Sequence, residues 1–215
     1  MHRRVAFRRL ESVLLLIGLL FIGLWLKNEA EARAFLAAES RKLEVARLYA
    51  DVVASSAQPP PKGTWFPVTL ESGVFGRIEI PRLGISALIG EGTKPAQLDR
   101  VVGHVAKTAF PGQPGNCALA GHRDSFLRGL GGARENDVIR IDTLQGTYTY
   151  LVEWGTVVEP SRVDVLDETA APSLTLVTCY PFLAVGPAPE RFVVRARLVE
   201  PMELDAHLGD ATQPE

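Results

Sequence analysis

The chain is 215 residues long, which leaves room for one domain, or one domain with an appendage. Its 47% apolar and 22% charged residues exclude a disordered chain, and a net charge of −2 offers no basic surface for nucleic acid. Two cysteines exclude a disulfide-rich scaffold and a four-cysteine zinc site, and the four histidines, at 2, 104, 122 and 207, lack the spacing of transition-metal ligands.

The amino terminus comes first. Arg3, Arg4, Arg8 and Arg9 precede an uncharged run of fifteen residues from Ser12 to Leu26. As a helix the run rises roughly 22 Å, short of the roughly 30 Å hydrocarbon core of a bilayer. Val5, Phe7 and Leu10 extend it if Arg8 and Arg9 snorkel, and Trp25 suits the far interface. A cleaved signal peptide has the same outline, but Lys27-Asn28-Glu29 follows the run and Ala30-Glu31-Ala32 is a poor cleavage site. A buried core helix would not be apolar on every face beside four arginines. The favoured reading is a retained, single-pass signal-anchor with its basic end in the cytoplasm and the rest exported. Residues 1–27 hold five basic residues and one acidic residue, so the exported part carries −6.

Residues 28–55 lack Gly and Pro, and Val45, Leu48, Tyr49 and Val52 recur at helical spacing. They predict a helix leaving the membrane, as a stalk or packed on the body. Pro59-Pro60-Pro61 then gives a stiff linker. The domain map is therefore 1–27 basic tip and anchor, 28–62 stalk and linker, 63–200 body, and 201–215 an acidic disordered tail. In the body, turn signals separate short strands expected at 74–80, 85–89, 101–103, 116–121, 137–142, 147–157, 173–179 and 191–199. Tyr148, Tyr150, Val152 and Trp154 alternate with Thr149, Leu151 and Glu153, which points to an all-β barrel or sandwich. Short helices are expected around 95–99 and 125–130.

Cys179 ends the strand Leu174-Thr175-Leu176-Val177-Thr178, where the backbone turns and a thiol can meet substrate. The competing readings are a buried core thiol and a disulfide to Cys117, which an exported protein permits. His122 also ends a strand, and Arg191 opens the last one. A cysteine used for acyl transfer needs a neighbouring acid–base group for the leaving amine, and a permanent cation can stabilise the oxyanion. A lone histidine is more often a surface or core residue, and Arg191 alone reads as a charge at a strand edge. Asp124 can orient His122 or cap the helix that follows, the cap being preferred. Cys117 reads as a core residue.

Thr175-Leu176-Val177-Thr178-Cys179 resembles the T-L-x-T-C signature of sortases, and Ala120-Gly121-His122-Arg123-Asp124-Ser125-Phe126 resembles their histidine segment. Gly186 to Val194 is similar to the arginine segment of class D sortases in particular, and the resemblance spans about residues 73–200. It implies an eight-stranded closed β-barrel, preceded here by the transmembrane helix, with His122, Cys179 and Arg191 catalytic and the resting Cys and His mostly neutral. The implied reaction is transpeptidation. The cysteine cleaves after Thr in the C-terminal sorting signal of an exported protein and passes the acyl group to an amine from a cell-wall precursor or a pilin lysine. Thr178, His104 and Tyr180 are the candidate substrate-binding positions, His104 in a non-catalytic role near the cleft. Some sortases bind calcium, but the loops hold no compact acidic cluster, so neither metal nor other cofactor is expected. Two rival functions use the same chain: a thiol endopeptidase that releases its substrate to water, and a non-catalytic, membrane-anchored peptide-binding barrel.

Overall fold

The computed structural model of the chain describes residues 2–56, 69–184 and 186–199. The Pro-rich linker and the acidic tail expected from the sequence lie outside the described residues. The first element is a helix, α1 (His2–Ser56). It has no proline to break it and is rich in Ala, Leu, Glu and Arg, all strong helix formers. One stretch of it is long and apolar enough to cross a membrane. There Leu14, Phe21 and Trp25 are all more than half exposed, with no protein surface to bury them. Just beyond, the spacing of Lys27 and Glu31 (3.8 Å) and of Glu29 and Arg33 (2.9 Å) gives ion pairs one turn apart.

Residue contacts divide the chain into Met1–Ser40 and Arg41–Glu215. Within the second unit, Leu43 of α1 is buried and Arg47 reaches Asp142 at 2.9 Å. The remainder is eight strands: β1 (Val74–Ile80), β2 (Ile85–Glu91), β3 (Val102–His104), β4 (Asn116–Gly121), β5 (Val138–Thr143), β6 (Thr147–Val158), β7 (Ser173–Tyr180) and β8 (Glu190–Val199). They close into a barrel in the order β1-β2-β3-β4-β7-β8-β6-β5. Two pairings, β2 with β3 and β4 with β7, are parallel; the others are antiparallel. Closure leaves no free sheet edge, and it sends alternate side chains inward.

The inward set is Ile78, Ile80, Ile89, Leu119, Ile139, Ile141, Tyr150, Leu174, Leu176 and Val194, all at most 1% exposed. Between β1 and β2 a 3-10 turn over Pro81–Leu83 ends at Gly84, whose φ of 63° is the left-handed conformation glycine adopts without cost. A four-residue helix, α2 (Pro95–Leu98), precedes β3. The second expected helix is a 3-10 turn at Arg128–Gly132, because its Gly-rich sequence does not sustain an α-helix.

Candidate active site

The site is set by strand register. On β7, Leu174 and Leu176 belong to the core, so Thr175, Val177 and Cys179 face outward. On β8, Val194 and Ala196 face in, so Arg191, Val193 and Arg195 face out. On β4, Cys117 and Leu119 face in, so Ala118 and Ala120 face out and His122, one residue past the strand, continues that row. Cys179 pairs directly with Arg191 across the antiparallel β7–β8 ladder. Gly121 pairs with Thr178 across the parallel β4–β7 ladder, so the next positions along the two strands are His122 and Cys179. Adjacent strands lie about 4.8 Å apart. The thiol, the imidazole and the guanidinium thus come from three neighbouring strands at one end of the barrel, on one outer face.

Below them the same face is apolar and small: Ala120, Val177 and Val193 stand in one row across the three strands. Further down, the β6–β7 connection crosses this face. Its Val165 carbonyl accepts from Arg195 Nη2 (2.8 Å) and Asn116 Nδ2 (3.2 Å), and Asn116 also reaches the Asp167 carbonyl (3.2 Å). The β6–β7 connection thus covers the lower part of this face, and the three polar groups stand at its upper end.

His122 is about one-third exposed, and its Nε2 lies 3.5 Å from Oδ1 of Asp99, the residue that closes α2. The carboxylate beside the imidazole is therefore Asp99 and not Asp124. Gly121 has to be glycine: a Cβ there would stand 2.9 Å from the Leu127 side chain, which packs the strand end from which His122 departs. Arg191 Nη1 donates to the carbonyls of Ala188 (3.1 Å) and Glu190 (2.8 Å), so its aim follows the β7–β8 connection. Arg123, the residue after His122, donates from Nη1 to the Pro181 carbonyl (2.9 Å) and from Nη2 to the Gly186 carbonyl (2.7 Å).

The three expected substrate-binding positions fare differently. Tyr180 is half-buried in an aromatic cluster, with Phe182 at 5.9 Å and Phe192 at 6.5 Å between ring centroids. Thr178 is buried, and its hydroxyl donates to the Gly121 carbonyl (2.8 Å), pinning β7 to β4 just below the thiol. His104 is 1% exposed. Its Nδ1 meets Glu91 Oε2 at 2.8 Å, its Nε2 meets the Ala109 carbonyl at 3.0 Å, and its ring stacks on Phe110 at 4.3 Å. Burial and two engaged nitrogens give His104 a packing role in this structure.

Both cysteines are free. Cys117 pairs with Leu174, five residues before Cys179, roughly 17 Å back along β7. That is far beyond the reach of a disulfide, so pairing of the two is ruled out in this fold. Cys117 is buried, and desolvation pushes its thiol well above the ordinary range, with the Glu91 charge adding to the shift. Among the described residues no group of three His, Cys, Asp or Glu is placed to hold a metal ion.

The fold and this barrel end define a cysteine enzyme on a closed β-barrel. Comparison with known proteins gives the family. The family model for the sortase domain matches residues 78–199. The chain is 31% identical to sortase D of Bacillus subtilis over 146 residues, covering 67% of this chain and 73% of the relative. Among solved structures, a Clostridium perfringens sortase D5 transpeptidase superposes with a TM-score of 0.56 at 29% identity, covering 62% of this chain and 83% of the other. Sortase E1 of Streptomyces coelicolor, solved with a tripeptide in its active site, gives 0.55 at 29% identity, with 62% and 92% covered. The chain belongs to the sortase family of cysteine transpeptidases and resembles its class D members.

Proposed function

We propose that the protein is a membrane-anchored transpeptidase acting on exported proteins that carry a C-terminal sorting signal. Cys179 is the nucleophile, His122 the acid–base group and Arg191 the oxyanion partner. The observation that carries this reading is the register that sets Cys179 opposite Arg191 and level with His122. In the first half-reaction His122 takes the thiol proton as Cys179 Sγ attacks the carbonyl of a Thr in the signal. The tetrahedral oxyanion develops beside the Arg191 guanidinium, whose charge is permanent. The C–N bond then breaks, the imidazolium gives its proton to the leaving amine, and a thioester remains on Cys179. In the second half-reaction an acceptor amine attacks the thioester, His122 removes the amine proton, and the thiol is regenerated. Cell-wall precursors and pilin lysines both supply such amines.

The test is intact-mass analysis of the full chain in detergent with a set of Leu-Pro-x-Thr-type peptides. The expected outcome is an adduct on Cys179 matching the peptide up to Thr, absent in Cys179→Ala. An added amine then converts the adduct to an amide product; release of the free acid alone, whatever amine is offered, would leave an endopeptidase instead.

The domain map of the sequence, with residues 1–27 as tip and anchor and 63–200 as the catalytic body, is part of the proposal. The exposed apolar face of α1 supports a membrane anchor, and the four arginines at its start support a cytoplasmic amino terminus with the barrel outside.

A further inference from the structure

We propose that Arg123 is a positioning residue that sets the geometry between His122 and the β7–β8 connection. The inference rests on the transpeptidase reading above.

The chain between β7 and β8 has a reacting group at each foot: Cys179 just before it, Arg191 just after it. Nothing in the ladder fixes its middle, because pairing ends with Tyr180 and Glu190. Arg123 bridges this gap. Its guanidinium is half-buried and donates to a carbonyl on the Cys179 side, Pro181 at 2.9 Å, and to one in the middle, Gly186 at 2.7 Å. The side chain holding them belongs to the residue bonded to His122. Arg191 in turn donates to the Ala188 and Glu190 carbonyls of the same segment. One side chain thus links all three: the backbone of His122, the foot that carries Cys179, and the segment that aims Arg191. Arginine suits the task because its planar fork serves two acceptors in fixed directions, and it stays charged at every working pH. Lysine has no such fork, so it holds one carbonyl well and the other poorly. Arg128, a few residues on, is exposed and serves as the control position.

The experiment compares the full chain with its Arg123→Gln, Arg123→Lys and Arg128→Gln variants in detergent, using two readouts. The first, hydrogen–deuterium exchange, requires no substrate. Exchange across 181–189 is expected to quicken about tenfold or more in Arg123→Gln, with the β4, β7 and β8 amides unchanged. The second is thioester formation on Cys179 with a peptide that acylates the unaltered chain. Its maximal rate is expected to fall at least tenfold in Arg123→Gln with a much smaller change in KM, to recover in part in Arg123→Lys, and to stay the same in Arg128→Gln. Unchanged exchange across 181–189 in Arg123→Gln overturns the proposal. So does faster exchange with an unchanged acylation rate, which makes the clamp merely structural. If Arg123→Gln loosens the strands as well, Arg123→Lys carries the same two comparisons. A failure of the unaltered chain to acylate with any peptide counts against the transpeptidase reading, and the exchange readout still decides whether the clamp exists.

Discussion

Arg191 and Asp99 are both charged side chains near the reacting groups, but they are not equivalent. Arg191 sits opposite Cys179 in a fixed ladder, and on the proposed reading it acts where charge develops; its removal is expected to cost roughly a hundredfold or more in turnover. Arg191→Lys restores the charge without the planar fork, so peptide assays should show only partial recovery. Asp99 approaches His122 at 3.5 Å but is 69% exposed. A pair so well solvated contributes at most about 1 kcal/mol, so Asp99→Asn should lower kcat/KM no more than about fivefold. A hundredfold loss would instead make the carboxylate essential to the imidazole. As candidates, Cys179, His122 and Arg191 could be named from the sequence because each sits in a short motif at a strand end. Asp99 and Arg123 could not, because their roles depend on distant segments: Asp99 reaches the imidazole from the end of α2, and Arg123 is defined by carbonyls 58 and 63 residues further along the chain.

Among the elements, turns are held by ion pairs between largely buried carboxylates and half-exposed arginines. Arg82, in the 3-10 turn after β1, binds the Asp137 carboxylate at the start of β5 and donates to the Gly132 carbonyl (2.5 Å). Burial alone raises the Asp137 carboxyl, but the bonds from Arg82 and the Arg134 amide, with the charges of both arginines, outweigh it and hold the group below the ordinary aspartate range. Asp142 behaves the same way: burial raises it, and Thr147, Arg47 and Arg140 more than reverse the effect. Since both folded-state values are depressed, their stabilisation is complete above the unfolded value of about 4 and is lost as pH falls through the folded values. Thermal melts should therefore show Tm dropping below about pH 4. Asp137→Asn should cost about 2 kcal/mol at neutral pH, on the order of 5 °C, and flatten that acid limb. The strands themselves were readable from period-2 alternation to within a residue or two at each end. β3 begins one residue later than expected and β2 runs two further, since hydrogen bonding to neighbours, not local pattern, decides where a strand stops. The barrel order, with β4 beside β7 and β6 between β5 and β8, is a tertiary choice that no local pattern records.

At the scale of the whole molecule, one continuous helix leads from the basic tip, through an apolar stretch, to residues that pack in the barrel's own unit. Adding protease to intact cells should digest a tag placed at the carboxyl terminus and spare one at the amino terminus; the opposite pattern would reverse the proposed orientation. Among the described residues the protein also carries two sulfhydryls of opposite character. Cys117 is sealed inside the barrel at 1% exposure with its thiol held protonated, while Cys179 is partly exposed on the outer face. A membrane-impermeant alkylating reagent should therefore consume one equivalent per folded chain. Counting that equivalent on whole cells would give the number of correctly folded, outward-facing copies without any need to know the natural substrate.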